Sequence, residues 1–286
     1  MSERIEVRRT AKLFIAGAFP RSESGRTYEV NDHLGAFVAN AALASRKDAR
    51  DAVVAARAAF PKWSAATAYN RGQVLYRVAE LLEGRVEQFV SEVRAAEGVT
   101  AKRATAQVTA AIDRWVWYAG WADKYAQVVG SSNPVAGPYF NFSVPEPTGV
   151  VAILAPQESS LLGLVSTLAP VLASGNAAVV VAARLMPLPA VSLTEVLATS
   201  DVPAGVVNLL TGSADEIGPW LASHAAVNAI DLAGADEDLA IILEREAAGT
   251  LKRVLRPTRE DWKTDPGLQR LSQWVEIKTV WHPIGG

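Results

Sequence analysis

Side chains able to do chemistry concentrate in one short stretch, "ILAPQESSLLG" (Ile153 to Gly163), where an apolar run ends and Gln157, Glu158, Ser159 and Ser160 precede a new one. This reads as a strand, a tight turn and a helix start, the junction at which open α/β sheets usually carry their ligands. A carboxylate there could act as acid or base, and a serine as nucleophile. Ser159 or Ser160 with His224 is one candidate hydrolase set. It lacks the G-x-S-x-G elbow, and Glu158 stands where an oxyanion would need donors. The simpler reading of "QESS" is a set of acceptors capping the first turn of the following helix.

Other chemistries are excluded by composition. The chain has no cysteine, which removes disulfides, thiolate catalysis and cysteine-containing metal sites. His33, His224 and His282 are far apart in sequence, so no metal site is expected. A net charge of −2 gives no reason to expect nucleic acid or an anionic membrane as partner. The uncharged run from Leu161 to Ala183 is long enough to span a bilayer, but Pro170 and Gly175-Asn176 divide it into a buried helix and a buried strand. "MSERIEVRR" has no apolar h-region, so a cytoplasmic location is expected.

The elements that would position this junction follow from periodicity. "VVAILA", "AAVVVAA", "VVNLL" and "VNAIDLAG" are apolar strands, each followed by a helix-like segment, which predicts an α/β fold with a doubly wound parallel sheet. In front lie β-type stretches "KLFIAGAF" and "TYEVND", then helices. Ser45-x-x-Asp48 predicts a capping box and Pro61 a helix end. Asn70 is a candidate cap for the next helix, and Gly98 ends that region. A long helix is predicted from Thr100 to before Gly130. Its Trp115, Trp117, Tyr118 and Trp121 read as packing rather than a stacking platform. Two alternating strands stand apart, one placing Phe140, Phe142 and Val144 on one face, the other Val275, Ile277, Thr279 and Trp281. "LRPTREDWKTDPG" is a Pro- and charge-rich link before the second.

"KWSAATAYNRGQVLYRVAELLEGR", "PEPTGVVAILAP", "LAPVLASGNAAVV", "VPAGVVNLLTG" and "VEIKTVW", in that order, resemble the aldehyde dehydrogenase superfamily. The resemblance implies a Rossmann-like nucleotide-binding domain with N-terminal helices (1–136 and 148–260) and a two-part β oligomerisation arm (137–147 and 273–286). A linker (257–272) stands where the family has its catalytic domain. The family's covalent route needs a thiolate, because a thiohemiacetal must form before hydride leaves. The chain thus resembles the cysteine-less, non-catalytic second half of two-part members.

The resemblance also marks degenerate positions. Where the family's Trp-Asn pair offers an amide to the oxyanion, this chain has Gln157 and Glu158. The ribose-binding lysine and glutamate fall on Val181 and Arg184, and the pyrophosphate turn reads Ala233-Gly234-Ala235 before Asp236, Glu237 and Asp238. Asp215 and Glu216 also open a helix where a glycine-rich turn would suit a nucleotide better. No catalytic residue and no cofactor are expected; residual NAD or NADP binding is not expected either. The implied function is an inactive subunit that joins a full-length aldehyde dehydrogenase, or itself. The arm residues Tyr139, Phe140, Phe142, Val144, Trp274, Val275, Ile277, Thr279, Val280 and Trp281 would form the contact. An aldehyde-producing enzyme is a further candidate partner. Trp220, Trp262 and the "LMPLP" turn are candidates for the face that the catalytic domain would otherwise cover. The alternatives are an NAD(P)-binding aldehyde oxidoreductase of different chemistry, or a nucleotide or metabolite sensor using Arg184.

Overall fold

The computed structural model describes residues 10–285. In chain order its elements are β1 (Thr10–Ala11), β2 (Thr27–Asn31), β3 (Phe37–Ala42), α1 (Arg46–Ala65), α2 (Ala68–Glu83), α3 (Val86–Glu97) and α4 (Ala101–Trp121). There follow α5 (Tyr125–Val129), β4 (Ser131–Asn133), β5 (Tyr139–Pro147), β6 (Val150–Leu154), α6 (Leu162–Ala173), β7 (Ala177–Val181) and α7 (Leu188–Ala198). The last are β8 (Val207–Leu210), α8 (Ala214–Ser223), β9 (Ala229–Asp231), α9 (Glu237–Ala248), β10 (Arg253–Leu255), α10 (Gln269–Gln273) and β11 (Val275–Pro283).

The central sheet is parallel, in the order β8-β7-β6-β9-β10. Its strands β6 and β7 read as unbroken apolar runs because both faces are covered. Val151, Ile153, Ala178 and Val180 face the core shared with α2, α3, α4, α6 and α7. Val150, Ala152, Leu154, Val179 and Val181 face the core shared with α1, α8 and α9. The order reverses between β6 and β9. That is the switch point of a doubly wound sheet, and the crevice beyond its strand ends is bounded by Ala155–Ser160 and Leu232–Asp236. The run from Leu161 to Ala183 divides into α6 and β7 as expected. No helix among the described residues is long and apolar enough to cross a membrane.

The capping box of α1 forms in full: Ser45 Oγ accepts from Asp48 N, and Asp48 Oδ2 accepts from Ser45 N at 2.8 Å. Ser45→Ala is expected to cost about 1 kcal/mol, read as a lower urea midpoint at unchanged m-value. Pro61 does not end this helix, which continues to Ala65. Trp63, 2 % exposed, holds the last turn down by donating Nε1–H to Leu172 O at 3.2 Å. The cap of α2 is Thr67, not Asn70: Thr67 Oγ1 accepts from Asn70 N. Gly98 does close α3, in the left-handed region at φ +65°. The long helix from Thr100 is two helices, broken at 122–124. Trp115 and Tyr118 are fully buried, and Trp117 packs edge-on to Tyr118 at 4.9 Å, so the aromatic cluster is core. "KLFIAGAF" (residues 12–19) contains no strand: β1 ends just before it, and within it only the isolated bridges Phe14–Leu209 and Ile15–Ala18 have β character.

Candidate functional site

Each residue of "QESS" has a structural partner. Gln157 ties two strand ends together, donating Nε2–H to Ala155 O (2.7 Å) and accepting at Oε1 from Arg184 N (3.0 Å). Ser159 Oγ accepts from Gly163 N at 2.9 Å and so satisfies a first-turn amide of α6, although the N-cap position itself is Leu161, which makes no side-chain cap bond. Ser160 donates through both N–H and Oγ–H to Glu97 Oε1 on α3, at 2.8 and 2.6 Å. Glu158 caps nothing: its Oε1 accepts the indole N–H of Trp262 at 3.0 Å. Of the four, only Ser159 accepts from an amide of the first turn of α6, and it does so from outside the N-cap position. Neither serine meets His224, which lies on the loop before β9, at the amino ends of the strands rather than the carboxyl ends. No group of histidines and carboxylates among the described residues could hold a metal ion.

Across the crevice, the turn after β9 uses its own amides. Ala233 N donates to Asp231 Oδ1, Gly234 N to Leu154 O and Ala235 N to Leu232 O. Asp236 is the N-cap of α9 and accepts from Leu239 N at 2.8 Å. Gly234 has a packing reason to be glycine: a Cβ there would lie 1.9 Å from Ala155 O. Val181 is buried at the end of β7, and Arg184 is exposed. An open cleft of ≈ 680 Å³ remains between the strand ends, lined by Glu158, Ala233, Ala235, Glu237, Arg256 and Arg259.

The Pro- and charge-rich link is a folded element. It follows β10, a fifth parallel strand absent from the sequence reading, and crosses the crevice before α10. Three polar contacts pin it. Glu158 holds Trp262, which is 8 % exposed. Arg114 of α4 donates Nη2–H to Trp262 O at 2.7 Å and to Thr264 O at 3.0 Å. Arg270 donates to the fully buried Asp231 Oδ2 at 2.6 Å and, through Nη2–H and Nε–H, to both oxygens of Glu260 at 2.6 and 3.1 Å. The Arg270 guanidinium also lies 5.1 Å over the Trp262 ring. Burial lowers its pKa, but Asp231 and Glu260 outweigh that and hold it above the ordinary value. Trp262 thus lies at the strand-end side of the sheet, buried beneath the link. Trp220 is half-buried on α8 and its ring lies tilted against that of His224, centroids 4.6 Å apart, while Leu185 of "LMPLP" is exposed beyond β7.

The two outlying strands meet in an antiparallel sheet ordered β11-β5-β4, with Val280 opposite Phe142 and Trp281 opposite Asn141. Ser-Ser-Asn of β4, a polar strand that alternation could not flag, completes it. Alternation places Phe140, Phe142, Val144 and Val280 on one face, and Tyr139, Ile277, Thr279 and Trp281 on the other. The second face has a polar centre, where Asn133 Nδ2–H donates to Asn141 Oδ1 and Ser143 Oγ, and Ser143 Oγ bonds Thr279 Oγ1. Phe140, Ile277 and Trp281 are exposed, and β11 is an open edge. Two expected contact residues are misplaced. Trp274 is fully buried and Val275 is 5 % exposed, because the chain enters β11 directly from the main core.

Comparison with known proteins places this geometry. Residues 19–256 match the model of the aldehyde dehydrogenase family. Human cytosolic 10-formyltetrahydrofolate dehydrogenase is 33 % identical over 87 % of the chain, which spans 28 % of that protein. Chicken retinal dehydrogenase 2 is 33 % identical, and omega-crystallin of Enteroctopus dofleini 30 %; the chain spans 48 % and 49 % of them. HpcC of Thermus thermophilus superposes with a TM-score of 0.82 at 33 % identity, covering 86 % of this chain and 47 % of its own. An NAD+ complex of a Bacillus cereus aldehyde dehydrogenase superposes at 0.81 with 26 % identity, covering 86 % of this chain and 50 % of its own.

Proposed function

This chain belongs to the aldehyde dehydrogenase family, and from that premise we propose that it is a non-catalytic member whose work is assembly. It joins a full-length aldehyde dehydrogenase, or a second copy of itself, through the β11-β5-β4 sheet. One observation carries the reading: the position from which the family offers an amide to the oxyanion is a carboxylate, and it is bonded to the chain's own link through Trp262. A carboxylate accepts hydrogen bonds and repels an oxyanion, so that position cannot stabilise the developing charge. Without a cysteine in its 286 residues the chain has no thiolate to form the thiohemiacetal. The turn that would hold a pyrophosphate spends its amides internally and is followed by Asp236, Glu237 and Asp238, which oppose a phosphate at that helix start.

The arm supports the second half of the reading. A three-stranded sheet with an open edge and exposed Phe140, Ile277 and Trp281 invites a further strand or a facing sheet. Incubation of the purified chain with short aliphatic and aromatic aldehydes, with NAD or NADP, is expected to give no reduced cofactor above the blank. The same cofactors are expected to leave its melting temperature unchanged. Aldehyde-dependent NADH or NADPH formation would overturn the non-catalytic assignment.

A further inference from the structure

We propose that the cavity beneath the link is a binding site for a small zwitterion of the amino-acid type, which enters carboxylate first towards Arg114. The cavity, ≈ 340 Å³, lies between α4, α6 and residues 255–273. It is at the small end of the range for ligand pockets, about 300–1,000 Å³. Its roof lies beyond the segment that matches the aldehyde dehydrogenase family, and the inference is independent of the assembly reading.

The floor is defined by Arg114, which is 7 % exposed. Only its Nη2 is engaged, by the carbonyls of Trp262 and Thr264, and no described carboxylate pairs with it. Nε and Nη1 have no hydrogen-bond partner among the described residues. A guanidinium does not shed its proton to escape burial, so the site keeps a cation that faces the cavity without an ion-pair partner in contact, favoured only at longer range by Asp265 and Glu260. Beside it, the Tyr118 hydroxyl is buried without a hydrogen-bond partner, near enough to feel both Arg114 and Arg270. Arg270 also lines the space, but Nε, Nη1 and Nη2 are all committed to Asp231 and Glu260. Arg114 is therefore the cation left for a ligand.

The rim has the opposite charge. Asp261 and Asp265 line the mouth and are exposed. One oxygen of each is used in a local turn, by Lys263 N and Gly267 N, leaving the second oxygen of each open. A simple carboxylate would satisfy Arg114 but meet repulsion at the rim, and a simple amine would leave Arg114 unpaired. A molecule with a carboxylate at one end and an ammonium at the other satisfies both.

Isothermal titration with glycine, β-alanine, 4-aminobutyrate, acetate and ethylamine tests this, with the difference in tryptophan fluorescence between the wild-type chain and Trp262→Phe as a second readout. At least one zwitterion is expected to bind roughly tenfold or more tightly than acetate and ethylamine. Arg114→Gln is expected to abolish that binding. The rim variant Asp261→Asn/Asp265→Asn changes only exposed side chains and keeps the test open if Arg114→Gln fails to fold. It is expected to erase most of the preference over acetate. Equal binding of acetate and the zwitterions, an unchanged preference in the rim variant, or no zwitterion binding to the wild-type chain would each overturn the proposal.

Discussion

Asp231→Ala is expected to lower the unfolding free energy by about 3–5 kcal/mol, the usual cost of leaving one member of a buried ion pair alone. Asp231 is fully buried, and Arg270, 8 % exposed, reaches it from the link. Without the carboxylate, Arg270 keeps Glu260 as a half-exposed partner but faces an apolar hole at the end of β9. The double variant Asp231→Ala/Arg270→Met should recover much of the loss, because an apolar pair needs no compensation for desolvation. Urea unfolding of the three proteins measures both effects. A loss under about 1 kcal/mol for Asp231→Ala would mean that the link is not part of the cooperative fold.

Trp262→Ala is the second large effect, about 3–5 kcal/mol for an aromatic ring removed from a packed site. The ring lies under Arg270 and closes one wall of the site beneath the link. Trp262→Phe keeps most of the packing but removes the N–H donated to Glu158, and should cost only about 1 kcal/mol. The comparison separates burial from hydrogen bonding. Hydrogen exchange should show residues 257–272 deprotected in the alanine variant and protected in the phenylalanine variant. Equal deprotection in both would assign the anchoring to Glu158 rather than to the ring.

The parts of the fold that were legible in the sequence are those with local signatures. "VVAIL" and "AAVVV" read as buried parallel strands because every side chain is apolar, and the Ser45-Asp48 box marked the start of α1. Elements whose order comes from tertiary contact were not legible. β10 is three half-buried residues, Arg253–Leu255, with no apolar run of its own, and β4 is Ser-Ser-Asn. Pro61 marks a helix end locally, yet α1 continues because Trp63 is anchored on α6. The role of Glu158 was hidden for the same reason. Its partner, Trp262, is 104 residues away in a stretch that composition alone presents as a linker. The nearest local signal was Trp262 itself, a large aromatic side chain within a charged link.

Alternation within each arm strand was also legible, but not the way the faces combine. The register of β11 on β5 sets Phe140, Phe142 and Val144 on the face opposite Ile277 and Trp281. An assembly through this arm therefore has exposed Phe140 on one face, exposed Ile277 and Trp281 around a polar centre on the other, and the edge strands β11 and β4 to use.

Mass photometry of the chain alone, and after co-expression with the full-length aldehyde dehydrogenase encoded nearest to it, tests the assembly reading most directly. The account predicts an assembly of defined stoichiometry, mixed or self-associated, that is lost when Phe140 and Trp281 are both replaced by aspartate. A strictly monomeric chain under both conditions would contradict it.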